Sequence, residues 1–168
     1  MDNEHEVDLV NQLLRSQCLE HKATFGLRIN PVVGGGDLAF TSTATKASKF
    51  GLPITDGTKS RILELFKTHQ WLSGVHFHVG SQGVPLDLFV HGAKICFDFV
   101  QDLESFGVKI KIVNIGGGLS STYSDPEEPE EFSFANYRKA LELEIPQLFS
   151  GKYKIVTEFG RSLLLKVL

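Results

Sequence analysis

The sequence predicts an α/β protein built on a parallel β-sheet, and three observations lead to this prediction. Short apolar runs alternate with longer segments whose apolar residues recur at helical spacing. This order is typical of βαβ units, in which the strands pair in parallel. Polar residues gather at the C-terminal ends of the apolar runs. Finally, no internal repeat, low-complexity tract or linker divides the 168 residues, so we expect one domain over 1–168.

Each element follows from a local pattern. Val7, Val10 and Leu14 recur at helical spacing near the start, and Pro31 ends the first strand. A stretch rich in Gly, Thr and Ser shows no sustained period and predicts a long loop, which in a compact domain is usually functional. The predicted elements are, in chain order, a helix at 6–20, a strand at 25–30, a loop at 31–54, a helix at 58–69, a strand at 74–79, a helix at 86–106, a strand at 109–115, an acidic loop at 120–131, a helix at 134–149, a strand at 153–159 and an apolar tail at 162–168.

Composition excludes several classes of protein. A hydrophobic fraction of 42% with 22% charged residues is typical of a globular protein. The net charge of −3 argues against nucleic-acid binding, which leaves a basic excess. The two cysteines lack metal-binding spacing and predict a reducing, cytoplasmic setting. No apolar run reaches the length of about 18 residues that a membrane span needs, so we expect no membrane partner.

Strand side chains alternate between two faces, so the polar residues of each strand can be assigned to one of them. Arg28 and Asn30 share a face of the first strand, His76 and His78 share a face of the second, and Glu158 ends the last. The apolar residues that alternate with them are Leu27, Ile29, Val75, Phe77, Val79 and Ile155. In a (β/α) barrel the C-terminal strand ends carry the active site. The pattern therefore predicts a barrel-type site at this end of the sheet.

Several of these residues have more than one interpretation. The triplet Gly116–Gly118 after the third strand is either a flexible turn or a cradle whose bare backbone amides bind an anion. Arg28 and Glu158 could each belong to a structural ion pair. His76 and His78 could be hydrogen-bonded core residues, or two metal ligands of a barrel hydrolase. The metal interpretation lacks a clear third and fourth ligand: Glu158 is possible, but no Asp ends a strand, so we predict no metal.

One cofactor would use most of these groups. Gly116–Gly118 could bind a phosphate through backbone amides, and Ser81 and Arg161 could add a hydroxyl and a fixed positive charge. Glu158 could hold a proton on a pyridine nitrogen, and the His78 imidazole could stack on the ring. Together these groups describe a site for pyridoxal 5′-phosphate.

Five motifs carry a resemblance to a known family. They are Arg28-Ile29-Asn30-Pro31, Lys49-Phe50-Gly51, His76-Phe77-His78-Val79-Gly80-Ser81-Gln82, Gly116-Gly117-Gly118 and Glu158-Phe159-Gly160-Arg161-Ser162. From about residue 24 onward, the chain resembles the alanine-racemase-like (fold type III) decarboxylases that act on diaminopimelate, ornithine and arginine. Gln82 and the Arg-Ile-Asn-Pro run are more similar to the diaminopimelate branch.

The resemblance implies a partial (β/α)8 TIM-type barrel, with about four parallel strands present, and residue roles within it. His78 resembles the histidine that stacks on the pyridoxal ring, and Glu158 the carboxylate paired with its nitrogen; these are the expected catalytic residues. The expected phosphate contacts are Ser81, Gly116, Gly117, Gly118 and Arg161. Arg28 and Lys49 occupy motif positions near the pocket. Phe159 stands where the family usually has Pro, which affects the turn after Glu158.

The resemblance also implies decarboxylation of a basic or diamino acid. The family's Schiff-base lysine lies in a Tyr-x-x-Lys-Ala context that does not occur in these 168 residues, and its C-terminal β-domain is not represented either. We therefore expect a segment of such an enzyme that is inactive alone and associates as a homodimer. The alternative is a non-catalytic fragment or paralogue that binds a partner.

Overall fold

Five parallel strands form a single sheet in the computed structural model, which describes residues 1–17, 23–33, 48–81, 84–119, 133–160 and 163. The strands are β1 (Phe25–Asn30), β2 (Leu52–Pro53), β3 (Leu72–His76), β4 (Ile112–Asn114) and β5 (Lys154–Val156), in the order β2-β1-β3-β4-β5. The helices are α1 (Glu4–Gln17), α2 (Lys59–Thr68), α3 (Leu86–Ser105) and α4 (Phe134–Glu144). The predicted alternation of helices and parallel strands is confirmed. No helix in the described ranges is both long and apolar enough to cross a membrane.

The strand register brings four residues into one row across the sheet. Arg28 pairs with His76, His76 with Asn114, and Asn114 with Val156. Paired residues of neighbouring strands share a face, and the strands lie about 4.8 Å apart. The row therefore places three polar side chains side by side at the C-terminal end of the sheet.

The opposite face of the sheet is the apolar core. Leu27, Val75 and Val113 precede three residues of the row and are each at most 1% exposed. They belong to one buried cluster with the apolar side of α3, which includes Phe97 and Val100. The predicted separation of apolar and polar strand faces is confirmed, because burial of one face fixes the register of every strand.

Several boundaries differ from the prediction. Strand β2 lies inside the predicted loop 31–54, where two residues are too few to show a period. Helix α4 ends at Glu144, and a 3₁₀ turn follows at Pro146–Phe149, because proline cannot donate the next helical hydrogen bond. Strands β3, β4 and β5 end at 76, 114 and 156, so His78 and Glu158 each lie two residues beyond a strand. The acidic loop 120–131 and residues 18–20, 34–47 and 164–168 lie outside the described residues.

Two glycines face each other on the polar side of the sheet. A Cβ on Gly26 of β1 would lie 3.2 Å from the Gly74 carbonyl oxygen, and one on Gly74 would lie 3.1 Å from the Gly26 Cα. They line a cavity of about 310 Å³ together with His76 and Asn114. The sheet therefore has no side chains at these two positions, directly beside the row of polar residues.

Candidate functional site

The glycine turn after β4 is confined between two other segments. Gly116 and Gly118 have φ values of 69° and 100°, which favour glycine. A Cβ on Gly116 would lie 2.5 Å from the Phe77 carbonyl oxygen, and Cβ atoms on Gly117 and Gly118 would overlap the carbonyl oxygens of Glu158 and Gly80. Glycine is thus required at all three positions by close contact with the segments that follow β3 and β5.

Two amides of this turn already have partners in the protein. The Gly116 N–H donates to Asn114 Oδ1 at 2.9 Å, and the Gly117 N–H donates to His78 Nδ1 at 3.3 Å. The sequence predicted a cradle of bare amides, whereas here these two position side chains. Because His78 Nδ1 accepts a hydrogen bond, the proton of the neutral ring lies on Nε2.

Glu158 is held at this turn by both its backbone and its side chain. Its N–H donates to the Gly116 carbonyl at 2.7 Å, and its Oε1 accepts from Asn114 Nδ2 at 2.7 Å. The same oxygen lies 3.7 Å from His76 Nε2. The side chain remains 46% exposed, so a carboxylate of fixed position faces outward from the ends of three strands.

Sequence reasoning assigned no role to Asn114, although its amide bonds both Glu158 and Gly116. The signal available was an Asn two residues before a glycine, a spacing at which the side chain often bonds the backbone of its own turn. We infer that Asn114 couples the position of the carboxylate to the shape of the glycine turn.

Burial and positive charge keep the two histidines neutral. Burial lowers the pKa of His76 from 6.5 to about 4, Glu158 opposes that shift, and Arg28 and His78 add to it. Burial and Arg28 also lower the pKa of His78. The His76–Glu158 contact is therefore one between a neutral imidazole and a carboxylate near pH 7. Within the described residues, His76 Nε2 is buried and has no hydrogen-bond partner.

The lowered pKa of His76 predicts a loss of stability in acid. Between pH 6.5 and 4 the unfolded chain binds a proton that the folded chain does not, so the free energy of unfolding falls as the pH drops. The side chain is 25% exposed, and water reduces the cost to about 1–2 kcal/mol. Urea unfolding at pH 7, 5.5 and 4.5 should show a shallower loss for His76→Gln than for His91→Gln, which changes an exposed histidine of α3. Identical pH profiles for the two variants would contradict this assignment.

Arg28 is fixed by the segment around β2. Its guanidinium lies 3.4 Å from the Asp2 carboxylate and 4.7 Å from the centre of the Phe50 ring. The Asp2 carboxylate also accepts the Gly51 N–H at 3.1 Å, and Lys49 Nζ lies 5.1 Å from the centre of the same ring. The Lys-Phe-Gly motif, whose role the sequence left open, therefore holds Arg28 in place beside the histidines.

The structure brings most of the predicted site residues to one end of the sheet. His78, Gly116–Gly118 and Glu158 are in contact, and Arg28 lies in the same row as His76. Ser81 directly follows Gly80, which is in contact with the glycine turn. Arg161, like Gln82, lies outside the described residues.

Phe159, the departure from the family pattern, packs on α4. Its ring centre lies 5.1 Å from that of Phe134 and 5.7 Å from that of Tyr137. The side chain thus anchors the segment after Glu158 to a helix, a contact that the family's usual proline at this position could not make in the same way.

Comparison with known proteins leads to the same family as the sequence motifs. The family described as "Pyridoxal-dependent decarboxylase, pyridoxal binding domain" matches residues 1–164. The diaminopimelate decarboxylase of Staphylococcus aureus is 33% identical over 141 residues, which are 82% of this chain and 33% of that protein. That of Methanocaldococcus jannaschii is 31% identical over 139 residues, 81% of this chain and 31% of that protein. The chain thus spans about a third of the length of these relatives.

Solved structures of such enzymes share the fold. A diaminopimelate decarboxylase from M. jannaschii superposes with a TM-score of 0.77 at 27% identity, covering 97% of this chain and 38% of that one. The Helicobacter pylori diaminopimelate decarboxylase complexed with L-lysine gives a TM-score of 0.77 at 24% identity, covering 96% of this chain and 39% of that one. These similarities confirm the predicted fold class, a part of a TIM-type barrel.

Proposed function

The chain belongs to the family of pyridoxal-dependent decarboxylases through their pyridoxal-binding domain, and from this membership we propose that it is part of an enzyme that removes the carboxylate of a diamino acid. Diaminopimelate is the proposed substrate, because relatives of that name are 31% and 33% identical. A diaminopimelate decarboxylase structure at 27% identity was solved with L-lysine. We propose L-lysine as the product here.

The observation that carries the proposal is the fixed carboxylate of Glu158. Asn114 and the Gly116 carbonyl position it at the strand ends, beside the neutral imidazole of His78 and the glycine turn. A carboxylate, an aromatic ring and a tight glycine turn are the groups that a phosphorylated pyridine needs. The residues present therefore fit pyridoxal phosphate.

The proposed roles follow from the chemistry of each group. When bound, pyridoxal phosphate supplies an electron sink for the pair left as CO2 departs. Glu158 holds a proton on the pyridine nitrogen, and His78 supports the ring face. The Gly118 N–H, which has no hydrogen-bond partner within the described ranges, would hold the phosphate at the glycine turn. Ser81 adds a hydroxyl, and Arg161 adds a positive charge.

We also propose a place for the chain in the whole protein. It would be the middle of the barrel, with the Schiff-base lysine and the β-domain supplied by other residues. Without a lysine in the family's Tyr-x-x-Lys-Ala context, we expect no decarboxylation from the 168 residues alone. β2 and β5 end the sheet of the described residues, and open strand edges favour association, so we propose that the 168 residues alone form a homodimer. We propose a cytoplasmic enzyme.

The test is binding of pyridoxamine 5′-phosphate, which keeps the phosphate and the ring nitrogen but has no aldehyde to react with lysines. Equilibrium dialysis should show saturable binding to the chain. Glu158→Gln should weaken it about 10- to 100-fold, since a charge-assisted hydrogen bond contributes about 1.5–3 kcal/mol. Glu64→Gln, on the exposed side of α2, should bind like the parent chain. Equal affinity in all three proteins, or no saturable binding, would exclude the assigned site.

A further inference from the structure

Three metal-ligating side chains converge on one point at the strand ends. One ligand atom from each of His76, His78 and Glu158 lies within 4.8 Å of the other two. His76 extends from the end of β3, His78 follows two residues later on the same face, and Glu158 reaches them from beyond β5. Glu158, the possible third ligand in the sequence, therefore lies beside the two histidines.

The distance between His76 and Glu158 is close to that which a bound ion requires. In a tetrahedral zinc site, ligand atoms about 2.0–2.1 Å from the metal lie about 3.3 Å from one another. His76 Nε2 and Glu158 Oε1 are 3.7 Å apart, slightly farther than this spacing. Asn114 Nδ2 already donates to the carboxylate, as outer residues around metal ligands do. A metal ion bound at His78 Nδ1 would replace the 3.3 Å hydrogen bond that this nitrogen accepts from the Gly117 N–H.

A second observation points to a ligand at this place. His76 Nε2 is a buried nitrogen without a hydrogen-bond partner in the described part of the chain. A buried polar atom of this kind carries a cost unless something binds it. It lies beside the carboxylate, where a cation would satisfy both groups at once.

We propose that, in the absence of pyridoxal phosphate, this site binds one divalent first-row metal ion, Zn²⁺ above all, through His76, His78 and Glu158. Two histidines and a glutamate form a donor set of catalytic zinc sites, with the fourth position left to water. The metal and the cofactor exclude each other, because both need Glu158 and His78. Only this exclusion rests on the proposed function; metal binding by itself does not.

Calorimetric titration of the metal-free chain with ZnCl₂ tests the site. We expect one ion per chain, and an affinity at least about tenfold lower in both His76→Gln and Glu158→Gln, since changes outside the ligand shell alone cost about 10- to 100-fold. His91→Gln is the matched control and should bind like the parent. Loss of binding in His91→Gln, or unchanged binding in the two site variants, would overturn the proposal.

Two further measurements test the coordination of the metal ion and its competition with the cofactor. Co²⁺ added to the unaltered chain should give the intense visible bands of a four- or five-coordinate ion, whereas only the weak bands of octahedral cobalt would overturn the site even if a variant fails to fold. Pyridoxamine 5′-phosphate should then displace the ion. If Zn²⁺ binds as expected and the cofactor analogue does not compete, the metal site stands and the proposed cofactor position is wrong.

Discussion

Alanine at Gly118 is expected to destabilise the chain by about 3–5 kcal/mol. The added Cβ would overlap the Gly80 carbonyl oxygen, and the residue would remain at a φ of 100°. The backbone conformation accounts for about 1–2 kcal/mol and the overlap for the remainder. The measurement is the free energy of unfolding in urea at pH 7.

The chain offers controls that separate the two causes. Gly107 has a φ of 85° with nothing within 4 Å of a Cβ, so Gly107→Ala reports the backbone cost alone. At Gly117 no positive φ is involved and the Cβ would overlap the Glu158 carbonyl, so Gly117→Ala reports the overlap alone. If Gly118→Ala costs no more than Gly107→Ala, the turn is not confined in the way described.

Truncating Phe77 is expected to destabilise the chain by about 3–5 kcal/mol and to weaken binding at the site as well. The side chain is 1% exposed and lies between the two histidines, on the opposite face. Its N–H donates to the Asn114 carbonyl at 3.1 Å, and its own carbonyl touches the Gly116 position. The cavity left by Phe77→Ala would therefore loosen the segment that places both imidazoles. Urea unfolding and dialysis with pyridoxamine 5′-phosphate measure the two effects.

Two variants identify the cause of any loss of binding. Phe77→Leu keeps most of the volume, and we expect it to cost about 1 kcal/mol and to bind normally. Phe66→Ala removes an equally buried ring from α2, so it should lower stability to the same extent without lowering binding at temperatures where the chain is folded. A Phe66→Ala variant that loses binding as strongly as Phe77→Ala would contradict a local role for Phe77.

The strand faces were predictable because alternation is a local property. The sequence correctly separated Val75 and Phe77 from His76 and His78, even though β3 ends at His76. The first two residues are buried in the core, and the two histidines converge on Glu158. The family motifs likewise located the glycine turn and Glu158. These features depend on neighbours within a few residues or on a resemblance over the whole chain.

The contacts between distant residues were not predictable. Asp2 bonds both Arg28 and Gly51, and no local pattern links an acidic residue at the start of the chain to an arginine 26 positions later. The glycine triplet predicted bare amides, whereas two of these amides donate to side chains of the protein. The backbones on either side leave no space for a side chain at these three positions. These backbones come from distant parts of the sequence, so only the packed fold reveals the contact.

The facing pair Gly26 and Gly74 has a consequence for how the sequence can change over time. The interior of a closed barrel is filled by layers of side chains. Two facing glycines on adjacent strands therefore require a large side chain from the segment that covers them. A side chain gained at either glycine would demand a smaller residue opposite. We therefore expect these two positions to co-vary in relatives with the residue that covers them, and such linked changes would trace which segment lies across the 310 Å³ cavity.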